Sequence, residues 1–141
     1  MLRVTVLCRG RLKERYYIDA CEEYLKRLGA YCRAEVTELP ENGDICARIP
    51  KGAYVVAMCI EGRKLDSPGL AALVERCAAE GRSRLCFLIG GSDGLPDEAK
   101  RLADLRLSMS DMTFPHHLAR VMLLEQIYRA FTINAGAKYH K

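Results

Sequence analysis

Residues 87–95 read FLIGGSDGL. An apolar run ends abruptly at Gly90 and Gly91, and Ser92, Asp93 and Gly94 follow. Glycine has no Cβ, so such a turn lets backbone approach a ligand closely, and a glycine turn between a strand and a helix often cradles a nucleotide. The spacing is neither G-x-G-x-x-G nor G-x-x-x-x-G-K-[ST], so neither phosphate fingerprint applies as written. Asp93 reads as a cap on the turn rather than as a catalytic acid.

The chain on both sides of this turn alternates between strand and helix patterns. Strands are predicted at Leu2–Cys8, Cys32–Leu39, Tyr54–Ile60, Leu85–Ile89 and Arg106–Ser108. The Tyr54 run is apolar nearly throughout, as in a sheet covered on both faces. A first helix is expected over RLKERYYIDACEEYLKRL and stops at Gly29. A second opens with Ser67 as N-cap and Pro68 as first residue, and ends at Gly81. A third starts at Pro96, Asp97 and Glu98, and the last covers Thr113–Phe131. Residues 40–52 form a turn-rich connector with room for one helical turn. The order implies one α/β domain over 1–141, with a mostly parallel sheet covered by helices. In such sheets ligands bind beyond the carboxyl ends of strands, which selects the loops 61–66, 90–95 and 108–113. The segment VMLLEQIYRAF is apolar almost all round, broken by Glu125, Gln126 and Arg129, so the last helix needs two apolar partners. Its own sheet is one; a second copy of the chain in a homodimer is the expected other.

Bulk properties narrow the function classes without choosing one. The chain has 141 residues and a formal charge of +4, which permits an RNA or phosphate partner but does not require one. Its seven cysteines contain no C-x-x-C pair, which excludes a zinc ribbon or thioredoxin motif and leaves small buried hydrophobes in a reducing compartment. No metal is expected. No apolar run approaches a membrane span, and the N-terminus lacks a signal-peptide core, so a cytoplasmic location is expected.

Several spaced motifs together carry a resemblance over almost the whole chain. FLIGGSDGL, LSMSDMTFPHHLARVMLLEQIYRAF, the terminal YHK, Gly10, the EYLKRL helix end and EGRKLDS closely resemble the RlmH family, SPOUT-class methyltransferases of large-subunit rRNA. The resemblance implies a trefoil knot within about residues 84–141, a homodimer, and S-adenosylmethionine as methyl donor. The acceptor it implies is N3 of pseudouridine 1915 in helix 69 of 23S rRNA, on the assembled 70S ribosome. Cofactor contacts carried over are Met58, Gly90, Met109, Ser110, Asp111, Met112, Thr113 and Phe114, with Met58, Met112 and Phe114 suited to an apolar slot for a flat ring. Met and Phe equally suit plain core packing. The connector after Pro40 is shorter than the family pattern, and it is expected to lie away from the carboxyl-end loops.

The chain holds only three histidines. His116 and His117 open the last helix, and His140 lies in the tail. The family resemblance makes Tyr139 and His140 the expected catalytic pair, with the tail folded over an active site of its own or a partner subunit. Lys141 would then sit near RNA phosphate. Among the other cations, Arg9, Arg11 and Lys13 cluster after the first strand, and Arg120 and Arg129 lie on the last helix; Arg11 and Arg120 are the favoured RNA contacts. The rival readings are a SPOUT enzyme acting on another RNA, a nucleotide-binding regulatory module without turnover, and a structural ribosome-associated dimer.

Overall fold

Strand β1, Arg3–Arg9, lies at the centre of the sheet's first half, paired in parallel with β2 (Arg33–Leu39) on one edge and β4 (Arg84–Ile89) on the other. Strand β3 (Tyr54–Lys64) follows β4, and β5 (Leu105–Ser108) follows β3, giving the order β2-β1-β4-β3-β5, all parallel. This computed structural model describes residues 1–141. The helices are α1 (Arg15–Leu28), α2 (Ser67–Ala79), α3 (Asp97–Leu102) and α4 (His116–Asn134), and a single 3₁₀ turn spans Cys46–Arg48 in the connector.

The period-two alternation of β4 splits the core in two. Leu85, Phe87 and Ile89 point into a cluster with α1, α2 and α4, while Cys86 and Leu88 point into a second cluster with Ile45, Leu95 and Ala99. Both faces are covered, which explains why β3 and β4 read as unbroken apolar runs. All seven cysteines are free. Burial pushes the thiols of Cys8 and Cys86 up to about 12, so they serve as small hydrophobes.

Several boundaries differ from expectation for identifiable reasons. Helix α1 starts at Arg15, not Arg11, because the Leu12 N–H donates to Glu38 Oε2 at 2.8 Å and holds the preceding residues out of the helix. The N-cap of α2 is Asp66, whose carboxylate accepts the Gly69 N–H at 2.8 Å; Ser67 instead bonds Gln126 on α4 at 2.6 Å. Helix α4 begins at His116, since Pro115 disfavours helical backbone at Phe114, and continues to Asn134. Strand β5 begins one residue early, at Leu105.

The larger correction concerns β3. Residues 61–64 are strand rather than loop. Met58 and Arg63 both register with Leu107 of β5. A strand residue meets one ladder partner on each edge, so the body of β3 lies along one edge of β5 and its extension along the other. Residues 59–62 carry the chain across. Gly62 makes the crossing possible, because a Cβ there would stand 2.7 Å from the Arg106 carbonyl carbon.

Candidate active site

The carboxyl ends of β3, β4 and β5 open onto a cavity of about 530 Å³. Its floor is the glycine turn. Gly91 and Gly94 pair across the turn, and the Gly94 N–H donates to Gly91 O at 3.0 Å. Backbone closes this turn, and the exposed Asp93 side chain bonds nothing in it. Any Cβ on Gly90 would collide with the Gly94 carbonyl carbon, so only glycine fits there. Gly94 is required for a different reason: its φ is +78°.

The opposite wall is the loop after β5. Ser108 Oγ donates to Ser110 O at 3.0 Å, and the Met112 N–H donates to Ser110 Oγ at 3.0 Å. These two bonds curl the loop toward the glycine turn. Of the sequence-predicted cofactor residues, Met58, Gly90, Met109, Ser110, Met112, Thr113 and Phe114 all border the cavity. Asp111 does not: its carboxylate pairs with Lys64 at 2.5 Å on the outside of the loop. Met58 and Phe114 are half-buried, but Met112 is 74% exposed and forms a rim rather than a wall.

The third side is the start of α4, which has no side-chain cap, so its first N–H groups remain free. His116 borders the cavity here, and its buried Nε2 has no hydrogen-bond partner. Burial, with His117 beside it at a ring distance of 4.2 Å, lowers its pKa below the ordinary value of 6.5. His116 is therefore neutral at neutral pH and able to accept a proton. The sequence offered His116 only as the first residue of a helix after a proline; its place in the cavity depends on the chain's return from β5.

Arg120 is corrected outright. It is 1% exposed, so it is not a surface cation for RNA phosphate. Its Nη1 donates to Glu38 Oε2 at 2.6 Å and its Nη2 to the Gly10 carbonyl at 3.2 Å. Burial works to raise the pKa of Glu38, but the Leu12 N–H and Arg120 outweigh it and leave the carboxyl lowered. Arg11, by contrast, is exposed beside this buried joint. The connector is corrected too. Glu41 lies against Gly10 and Gly91, where a Cβ on either glycine would strike its carboxylate, and Arg9 Nε donates to Gly43 O at 3.0 Å. The connector therefore reaches the carboxyl-end loops.

Tyr139 and His140 do not border the cavity of their own protomer. The tail folds back on α4 instead. Tyr139 OH donates to Glu125 Oε2 at 2.8 Å, and Arg129 Nη2 donates to the same oxygen at 2.7 Å. Arg129 Nη1 meets His140 Nδ1 at 3.0 Å. Arginine can only donate, so His140 Nδ1 accepts and the proton sits on Nε2. Burial raises the Tyr139 pKa, and Glu125 raises it further. Lys141 is exposed. Glu125 also borders a groove of about 550 Å³ between α2 and α4, which shares Met58, Leu107, Ser108 and Met109 with the cavity. No His, Cys, Asp or Glu cluster suited to a metal is present, and no helix is long and apolar enough to cross a membrane.

Comparison with known proteins bears on this arrangement. The family described as "Predicted SPOUT methyltransferase" matches residues 2–140. The ribosomal RNA large subunit methyltransferase H of Clostridioides difficile (strain 630) is 42% identical, with 99% of this chain and all of that protein covered. Its namesake from Clostridium novyi (strain NT) is 41% identical over the same shares. Both alignments run over 159 positions, so these relatives carry residues that the present chain of 141 lacks. Among solved structures, a probable methylase family protein from Haemophilus influenzae Rd KW20 superposes with a TM-score of 0.62 at 12% identity, covering 99% of this chain and 70% of that one. The SpoU methyltransferase AviRb from Streptomyces viridochromogenes, solved with AdoMet, gives 0.53 at 16% identity, covering 95% of this chain and 58% of that one. These two likenesses establish the fold. Cavity, strand order and full-length similarity agree: the chain belongs to the SPOUT methyltransferases, in the family of ribosomal RNA large subunit methyltransferase H.

Proposed function

We propose that this protein transfers the methyl group of S-adenosylmethionine to N3 of pseudouridine 1915 in helix 69 of 23S rRNA, on the assembled 70S ribosome. The observation that carries the reading is the cavity whose floor admits no Cβ at Gly90, set in a chain 42% identical over its length to a protein named for this class of activity.

The cavity fits the cofactor. Bare backbone at Gly90 and Gly91 permits close approach by a flat ring, with Met58, Met109 and Phe114 as apolar neighbours. The uncapped first turn of α4 suits the carboxylate of an amino-acid moiety. When bound, the cofactor supplies an electrophilic methyl carbon on a sulfonium. The residues of this chain then have to hold the nucleophile in line and remove its proton. Neutral His116 accepts the N3 proton. Tyr139 and His140 act from the tail of a partner subunit: the Tyr139 ring orients the base, and His140, protonated on Nε2, donates a hydrogen bond to it. Lys141 and Arg11 contact phosphate.

This arrangement requires a homodimer. Support comes from α4, where Leu123, Leu124, Ile127 and Ala130 are buried against the sheet, while Leu118, Val121 and Met122 are only half-buried. The trefoil knot is part of the same reading. It is supported by the β3 extension on the far edge of β5, from which the chain returns to pack α4 against α1 and α2.

The test is methyl transfer from tritiated S-adenosylmethionine to unmodified 70S ribosomes, with naked 23S rRNA alongside. Label confined to helix 69 of the ribosomes is expected. Cofactor binding without label in either substrate would leave the regulatory-module reading in its place.

A further inference from the structure

A second concavity of about 790 Å³ lies on the flank of the sheet, between the β3 extension, the end of α3 and the start of β5. Its lining is almost entirely polar, unlike the cofactor cavity, and it adjoins that cavity through Glu61 and Lys100, which border both. Three arginines converge on it: Arg63, Arg101 and Arg106, all exposed. None of the three has an ion-pair partner.

The acidic groups here are already engaged. Glu61 is held by Lys100 at 2.6 Å, and Asp104 accepts the Val55 N–H at 2.8 Å. Counting Lys100, the hollow carries four cations against two carboxylates, so it keeps a net positive charge, and its three arginines lack a carboxylate partner. The backbone sets Arg63 and Arg106 side by side, because Gly62 packs directly on Arg106 and Arg63 registers with Leu107. The chain carries only +4 overall, so three unpaired guanidinium groups in one hollow are a local concentration of charge. Guanidinium groups on a rigid edge suit phosphate oxygens, which they can grip in pairs.

We propose that this hollow is a docking site for the phosphate backbone of the RNA substrate, holding a strand beside the cofactor cavity while the modified base enters it. The inference rests on the proposed function for its choice of RNA. Phosphate contacts position a nucleic acid without reading its sequence, which suits a small enzyme that recognises a shaped substrate.

The test compares the full-length protein with the triple variant Arg63→Ala, Arg101→Ala, Arg106→Ala. Binding to unmodified 70S ribosomes is followed by cosedimentation across a series of salt concentrations, and methyl transfer is measured on the same ribosomes. The variant should bind S-adenosylmethionine as the parent does, which reports that it is folded. It should lose roughly tenfold or more in ribosome affinity at low salt, with a shallower salt dependence, as fewer counterions are released. Unchanged affinity and slope in the variant would overturn the proposal. If the parent sediments with ribosomes but transfers no methyl, the functional reading fails while cosedimentation still decides the docking site. If the parent neither binds nor transfers, both are overturned.

Discussion

Arg120 Nη1 and Glu38 Oε2 stand 2.6 Å apart and join the first turns of α4 to the end of β2, with the Gly10 carbonyl as a third partner. The joint is a strut behind the cofactor cavity, since His116 and Arg11 both sit on segments that it anchors. Arg120→Met should cost about 2–3 kcal/mol in chemical denaturation, less than a wholly buried pair because Glu38 is partly exposed and can be rehydrated. It should leave the salt dependence of ribosome binding unchanged, which separates a strut from an RNA contact.

The glycine turn should distinguish two kinds of glycine. Gly90→Ala drives a methyl group into the Gly94 backbone and should cost about 1–3 kcal/mol together with most cofactor affinity. Gly94→Ala meets open space but forces alanine into a left-handed conformation, at about 1–2 kcal/mol. Thermal melts with and without S-adenosylmethionine check both: ligand should still raise the melting temperature of the Gly94 variant and not that of the Gly90 variant.

The pKa of His116 lies below its ordinary 6.5, so the residue binds fewer protons folded than unfolded at mildly acidic pH. Two effects should follow in order as pH falls: stability begins to drop below about 6.5, where the unfolded chain takes up a proton first, and turnover drops at lower pH, as the base in the folded protein is protonated. In His116→Gln both should vanish, with kcat lowered by about 10²–10⁴-fold and cofactor affinity kept.

Removing residues 139–141 takes Tyr139 from Glu125 and His140 from Arg129 and leaves the Glu125–Arg129 pair in place. The truncated protein should bind S-adenosylmethionine normally and lose methyl transfer to 70S ribosomes. Mixing it with His116→Gln protein should restore part of the activity if tails act across the dimer, because one site in a mixed dimer then has both an intact cavity and an intact tail. No recovery on mixing, with subunit exchange verified, would place the tail's action within one subunit.

Glu125 is lowered as Glu38 is: burial works against the charged form, but Arg129 and Tyr139 outweigh it. A lowered carboxyl stabilises the fold fully above its unfolded value, near 4.5, and the contribution is lost as pH falls through the folded value. The parent should therefore lose stability below about pH 4.5 more steeply than Glu125→Gln, as seen by circular dichroism during acid titration.

Much of this was legible in the residues. Alternation and apolar runs gave five strands, and the glycines of 90–94 marked the cradle because their requirement is local: a missing Cβ or a positive φ. Arg120 was misread because its partner lies in β2, 82 positions away, and a buried arginine looks in sequence like an exposed one. The strand nature of 61–64 was hidden for a similar reason, since EGRK reads as a polar turn until β5 arrives to pair with it. Asp111 sat in a recognisable motif, yet Lys64 draws its side chain outward. The unexpected position of Glu41 follows from the connector's path over Gly10 and Gly91, which no periodicity encodes.

The crossing of β3 over β5 has a consequence for solubility. A parallel sheet ordinarily ends in two rows of unsatisfied amides, each a template on which another chain could grow. Here the second pass of β3 takes up part of the row along β5, at Leu107 and Ser108. The row along β2 stays open over its length, and it is the strand that carries Arg33, Glu35 and Glu38. Intermolecular growth is thus obstructed by self-coverage at one margin and by charge at the other, so variants that neutralise β2 should be the first to aggregate.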